Sequence, residues 1–280
     1  MLSRKIGIDL GTSNARIFVK GEGVVLNEPI SIGDGDSAQV IRKLIGRAKG
    51  RPHIFRPEVV VAVPSALSSR GRRDVTEAAI SAGARQVWLI DEPLAAAMGA
   101  GLAIGEHRPC AICEIGAGTT QVAVISLSGI VAMRSIPVGG RALDQAIAER
   151  LAVTESQAEE LKVAIGSAVR TDAPQVISVA GQEVSSNLVA DAMAAPLESI
   201  AAAIRMVLAE TPNALAGQVR ERGIVLSGGG AQLRGLAWFI SQATGVAAVV
   251  AEDPQTSVVR GAGLALENFE VLRRNQSYIR

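Results

Sequence analysis

Three short turns combine carboxylates, hydroxyls, amides and glycines in patterns suited to gripping a polyphosphate. Asp9-Leu10-Gly11-Thr12-Ser13-Asn14 puts a carboxylate at a strand end and hydroxyl and amide donors in the turn that follows. Glu114-Ile115-Gly116-Ala117-Gly118-Thr119-Thr120 repeats that logic in the second half of the chain, and Ser227-Gly228-Gly229-Gly230 follows a further strand and precedes a helix. Glycines at such points let a phosphate or a flat ring approach the backbone, whose N–H groups then act as donors. Any one turn has a plain structural reading, in which Asp9 and Asn14 merely satisfy turn backbone. The three together are far more specific.

The elements that must hold these turns follow from periodicity. Residues 4–10, 15–20 and 23–27 read as a three-stranded meander, and 109–114, 120–126 and 130–136 read as the same meander again. Helices are expected at 37–49, from Ser68 to about Ala82, at about 92–103, 140–151, 155–165, 187–209, 234–243 and 257–267. Strands are expected at 58–63, 86–90, 223–226 and 247–250, with a small polar β region at 175–185. Pro196 is expected to kink or divide the long helix. The repeated meander implies an α/β protein of two duplicated lobes, with their Gly-Thr turns converging on one cleft.

Composition narrows the chemistry. Lys and Arg number 28 against 27 Asp and Glu, so the basic excess of a nucleic-acid binder is missing. Aromatic residues make up only 2% of the chain, which leaves few rings for stacking bases and points to aliphatic strands buried on both faces. The N-terminus runs straight into a strand without an apolar leader, and the charge-free stretch from Pro93 to Gly105 is too short to span a bilayer; a cytoplasmic protein is expected. Cys110 and Cys113 form a CxxC inside an apolar run. Residues three apart on a strand point to opposite faces, so buried structural cysteines are expected in place of a redox or zinc pair. His53 and His107 supply no second pair of ligands.

Residues 6–29 (IGIDLGTSNARIFVKGEGVVLNEP), 89–102 (LIDEPLAAAMGAGL), 112–128 (ICEIGAGTTQVAVISLS), 158–168 (AEELKVAIGSA) and 223–236 (GIVLSGGGAQLRGL) resemble the MreB-like bacterial actins, the rod-shape-determining family. The resemblance implies an actin-like ATPase fold with a nucleotide cleft between two lobes. Lobe I would comprise residues 1–103 plus 255–280, and lobe II 104–254 with a small subdomain at about 163–187. It implies ATP and Mg²⁺ as cofactors. Thr12, Ser13 and Asn14 match the first phosphate loop, with Asp9 near the metal, and Gly116, Ala117, Gly118 and Thr119 match the second. Glu159 and Lys162 match a pair on the ribose side, Gly228, Gly229, Gly230 and Ala231 match the adenosine loop, and Glu92 matches the residue that orients the hydrolytic water. A carboxylate at a helix N-terminus suits that role, because it stays ionised there.

Three departures from the family stand out. Glu114 replaces the usual Asp, pushing a carboxylate that should meet a Mg²⁺-bound water outward by roughly 1.5 Å. Ala117 replaces the middle of three glycines; if that position needs φ > 0, its Cβ costs about 1 kcal/mol. Both imply ATP binding with slow or lost hydrolysis. Residues 30–36 pass almost directly to the helix at 37–49, so most of the upper subdomain of lobe I is expected to be absent, which should alter filament contacts. Residues 166–186, the matching part of lobe II, are also short. In the loop at 49–57, Ile54 and Phe55 lie among Lys49, Arg51 and Arg56, where the family inserts apolar side chains into the inner face of the plasma membrane; Phe55 tucked under the lobe is the alternative.

The implied work is that of a membrane-associated filament in cell-shape determination and cell-wall synthesis. Its partners would be further copies of itself, a full-length MreB-like protein, the inner membrane surface and cell-wall synthesis proteins. One alternative is a non-hydrolysing accessory protein that caps or copolymerises with a full-length relative. A chaperone-like ATPase is the other, weakened by the lack of a substrate domain after the last helix.

Overall fold

A computed structural model of the 280-residue chain describes residues 4–30, 37–48, 56–104, 108–127, 129–179 and 181–267. Ile54 and Phe55, with Lys49 and Arg51, lie outside these residues. Inter-residue contacts divide the chain into two units: Met1–His107 with Ile125–Ile130 and Gln255–Arg280, and Arg108–Val124 with Val131–Pro254.

The first unit is built on a five-stranded sheet. β1 (Lys5–Leu10), β2 (Asn14–Val19) and β3 (Gly23–Pro29) form an antiparallel meander, and β4 (Glu58–Val63) and β5 (Gln86–Asp91) extend it in parallel from β1, giving the order β3-β2-β1-β4-β5. β4 (EVVVAV) is buried along its whole length, as a central parallel strand covered on both faces should be. One layer of the core joins Ile6, Ile8, Ile17, Val59 and Val61 to α1 (Ser37–Ala48) and α2 (Ser69–Ser81) through Ile41, Ile45, Val75 and Ala79. Ser68 caps α2 as the sequence leads one to expect, its Oγ accepting from the Gly71 N–H at 3.1 Å. Six residues, 31–36, separate Ile30, which follows β3, from α1.

On the other face lie α3 (Glu92–Gly99), buried throughout, and α9 (Ser257–Ala265). They cross almost backbone to backbone. A Cβ added at Gly261 would stand 1.7 Å from the Ala95 carbonyl oxygen, and one at Gly99 would stand 1.8 Å from that of Ser257.

The second unit repeats the strand order. β6 (Cys110–Ile115), β7 (Thr120–Ser126) and β8 (Gly129–Ile136) form the meander, and β11 (Ile224–Ser227) and β12 (Ala248–Val250) extend it beyond β6, β11 pairing in parallel with both β6 and β12. α4 (Gly140–Leu151), α5 (Glu155–Ile165), α6 (Ser186–Glu210), α7 (Asn213–Arg222) and α8 (Leu236–Thr244) accompany it, with a separate hairpin of β9 (Val176–Val179) and β10 (Gln182–Ser185). Their core runs through Ile115, Val124, Leu143, Ile147, Leu161, Ile200, Ile204 and Leu226.

α6 is one continuous helix with Pro196 inside it, so the helix is not divided there. By length and composition it is also apolar enough to cross a membrane, unlike the stretch at 93–105; Met193, Leu197, Ile200 and Ile204 bury one side of it in the core, while Asp191, Glu198 and Arg205 ion-pair on the exposed side. α7 was not anticipated, because it buries only Val219 and so carries no apolar stripe. Both cysteines are free and buried on β6. Burial pushes the Cys110 thiol up to about 11 and Cys113 higher still, which holds both in the unreactive thiol form near neutral pH.

Candidate functional site

The first loop, residues 11–13, joins β1 to β2. Asp9 and Arg16 are direct cross-strand partners, and Arg16 Nη1 donates to Asp9 Oδ2 at 3.1 Å. Both side chains are largely buried, 12% and 5% exposed. Burial pushes the Asp9 carboxyl above the ordinary carboxylate range, and the guanidinium pulls it back down. The Asn14 amide, turned to suit its neighbours, donates to the Ser13 carbonyl at 2.9 Å and accepts from Arg16 Nη2 at 3.3 Å. An added Cβ on Gly11 would lie 3.9 Å from Arg16 Nη1, so the cation lies beside the turn itself. Thr12 is exposed, and Ser13 and Asn14 are half-buried.

Arg16 was not singled out from the sequence. Its signal was available: it is the one charged residue in β2 (NARIFV), and counting back across the hairpin puts it opposite Asp9. The Mg²⁺ that the resemblance implies does not fit this loop well. Asp9 already has the Arg16 guanidinium as its counter-ion, so a divalent ion bound to that carboxylate would have to compete with a fixed positive charge. Among the described residues no three of His, Cys, Asp or Glu gather to hold a metal.

Glu92, also in the first unit, is the first residue of α3, with Pro93 next to it, and is 8% exposed. The preceding Asp91 is fixed by Arg72 at 2.6 Å. The site on the helix dipole is as the sequence suggests.

The second loop, residues 116–119, joins β6 to β7 in the second unit. Two of its carbonyls are taken by α4: Gly140 N–H donates to the Gly116 oxygen at 2.9 Å and Arg141 N–H to the Ala117 oxygen at 2.8 Å. This docking depends on Gly139, whose added Cβ would meet those two oxygens at 2.6 and 2.8 Å. Gly116 N–H closes the turn on the Thr119 oxygen at 2.9 Å, while the amides of Ala117 and Gly118 have no acceptor among the described residues. With the Gly116 and Ala117 carbonyls held by α4, the loop offers two backbone N–H donors that have no acceptor among the described residues. Ala117 carries no backbone strain, because among the described residues the one non-glycine with positive φ is Ala152. The expected cost of about 1 kcal/mol at Ala117 therefore does not arise.

Glu114, 8% exposed, stands beside Ser227 in the β6–β11 ladder. Gly228 has φ +82, and an added Cβ would fall 2.3 Å from the Ile115 oxygen and 2.7 Å from Glu114 Oε1. Gly230 packs on the Ile115 side chain, whereas Gly229 faces open space; Ala231 is buried. Gly228 to Ala231 therefore sit directly on the strand that carries Glu114.

Lys162 and Glu159, one turn apart on α5, point differently. Glu159 is exposed. Lys162 Nζ lies 2.6 Å from Asp144 Oδ1 and 2.7 Å from Oδ2, and 3.3 Å from the Gly140 oxygen. Burial pushes the Asp144 carboxyl up, against the pull of Lys162. Lys162 thus braces the α4 N-terminus that holds the second loop. Asp144, unnoticed in the sequence, interrupts the buried face of α4 between Leu143 and Ile147.

Comparison with known proteins gives the family and the fold. Residues 31–274 match the family described as MreB/Mbl protein. The cell shape-determining protein MreB of Escherichia coli K12 is 37% identical over 331 aligned positions, covering 97% of this chain and 95% of that protein. That alignment is longer than the chain, so the relative carries segments this protein lacks. MreB5 of Spiroplasma citri bound to AMPPNP superposes with a TM-score of 0.87 at 24% identity, covering 98% of this chain and 99% of that one. The MamK double helical filament subunit superposes with a TM-score of 0.76 at 19% identity, covering 95% and 99%. The fold is the actin-like ATPase fold, and the chain belongs to the MreB/Mbl family.

Proposed function

We propose that this protein is an ATP-binding, actin-like cytoskeletal element that assembles into or joins filaments acting in cell-shape determination. The observation that carries the nucleotide reading is the second loop, whose Gly116 and Ala117 carbonyls are tied to α4 while the Ala117 and Gly118 amides have no acceptor among the described residues and can serve phosphate oxygens. The AMPPNP held by the S. citri relative supports it. Residues 228–231 are assigned to the adenosine, Glu159 and Lys162 to the ribose side, and Thr12 to Asn14 to the phosphates. Glu92 would orient a water from the N-terminus of α3.

Hydrolysis is proposed to be slow. Glu114 reaches one methylene further than the family's aspartate, and phosphoryl transfer rests on positioning and charge placement that such a shift disturbs. Self-association, attachment to the inner face of the plasma membrane through Ile54 and Phe55, and contact with cell-wall synthesis proteins complete the reading. A second reading, a non-hydrolysing accessory subunit that copolymerises with a longer relative, is favoured by Glu114 together with the six-residue link between Ile30 and α1.

Electron microscopy and sedimentation with ATP, paired with phosphate release, test this. The expected result is nucleotide-dependent polymer, alone or with a full-length relative, and turnover that rises at least about fivefold in Glu114→Asp. Fast turnover by the unaltered protein would remove the accessory reading.

A further inference from the structure

We infer that Arg16 is the built-in counter-cation of the first phosphate loop, so that this chain binds a nucleoside polyphosphate without a divalent metal ion. The inference rests on the nucleotide reading above and deepens it. Four features of the loop carry it.

Arg16 is permanently charged and sits on β2 beside the loop, with Nη1 on Asp9 and Nη2 on Asn14, and with Gly11 alongside. Its side chain is only 12% exposed, so the charge is held in place, with little freedom left to lose on binding. Its Nε is buried and has no hydrogen-bond partner, an unmet donor. Finally, Asp9, the carboxylate that would serve a metal, is spent on the guanidinium.

An ordinary structural ion pair would need none of this placement. Ala15 and Ile17 bury the opposite face of β2 in the core, and the hairpin is already closed by its backbone ladder. A guanidinium matches phosphate oxygens with paired N–H donors, whereas a magnesium ion must keep an octahedral shell that a neighbouring cation opposes. With Asp9 and Asn14 orienting Arg16, the positive charge that a metal would otherwise bring to the phosphates is supplied by the chain.

Calorimetric titration with ATP, in EDTA and in excess Mg²⁺, tests this on the unaltered protein and on Arg16→Leu and Arg16→Lys. The unaltered protein should bind with dissociation constants within about threefold in the two buffers. Arg16→Leu should lose about tenfold or more in EDTA and regain affinity when Mg²⁺ is added, because Asp9 is released for the metal; Arg16→Lys should fall between. Binding by the unaltered protein that collapses in EDTA overturns the inference while leaving the nucleotide reading intact. No binding in either buffer overturns both. Thermal unfolding of each variant establishes that it is folded, and the EDTA comparison on the unaltered chain decides the matter even if Arg16→Leu is not.

Discussion

Replacing Gly228 by alanine sets two separable costs against one internal control. Gly228 has φ 82 and ψ 168, a region open almost solely to glycine, where a side chain costs about 1–3 kcal/mol. The new Cβ would also stand 2.3 Å from the Ile115 oxygen and 2.7 Å from Glu114 Oε1. The first contact is with backbone in the middle of a sheet and cannot be relieved by a rotamer change, so overpacking adds about 1–3 kcal/mol more. Gly228→Ala should therefore destabilise by about 2–6 kcal/mol in urea unfolding. Gly229→Ala lies one residue away with open space around it and an ordinary backbone, and should change stability by less than about 0.5 kcal/mol. Displacement of Glu114 predicts a further loss of ATP affinity in the Gly228 variant, if it folds. Equal stabilities for the two variants would refute the reasoning that the glycine cluster is fitted against β6.

Lys162→Met leaves Asp144 buried without its partner and should cost about 3 kcal/mol, whereas Lys162→Met with Asp144→Leu should recover most of it, measured by urea unfolding. An undiminished cost in the double variant would show that the pair does more than neutralise itself. The two thiols should resist DTNB at pH 8 in the folded chain and react fully in denaturant. Both are raised in the folded state above the ordinary 9.0, so the unfolded chain releases its protons first. Stability should then fall as pH rises above 9, by about 1.4 kcal/mol per pH unit for each thiol, and Cys110→Ala should remove one such share up to about pH 11.

The strands and most helices were legible because their signals are local. β4 is an apolar run after Glu58 and β6 is apolar but for Glu114, α2 begins at a serine cap, and the Gly-Thr turns mark both meanders. What was not legible depends on partners distant in sequence. Gly139 matters only because α4 docks on the second loop, and Asp144 only because Lys162 reaches it from α5. Ala117 looked strained because a family glycine was missing there, yet its φ is ordinary, since the loop's shape is fixed by the α4 hydrogen bonds. Pro196 leaves α6 continuous, consistent with a helix held by a long buried face. Arg16 was overlooked since its strand reads as apolar, and the residue that breaks that pattern is the one that meets Asp9.

The central claim is that the chain binds ATP through loops prepared for phosphate. Calorimetric titration of the purified protein with ATP measures it directly. The account predicts saturable binding of one nucleotide per chain, with affinity in about the micromolar range and weakened by Gly139→Ala, which opens the clamp on the second loop. Absence of binding by a folded protein, with and without magnesium, would contradict it.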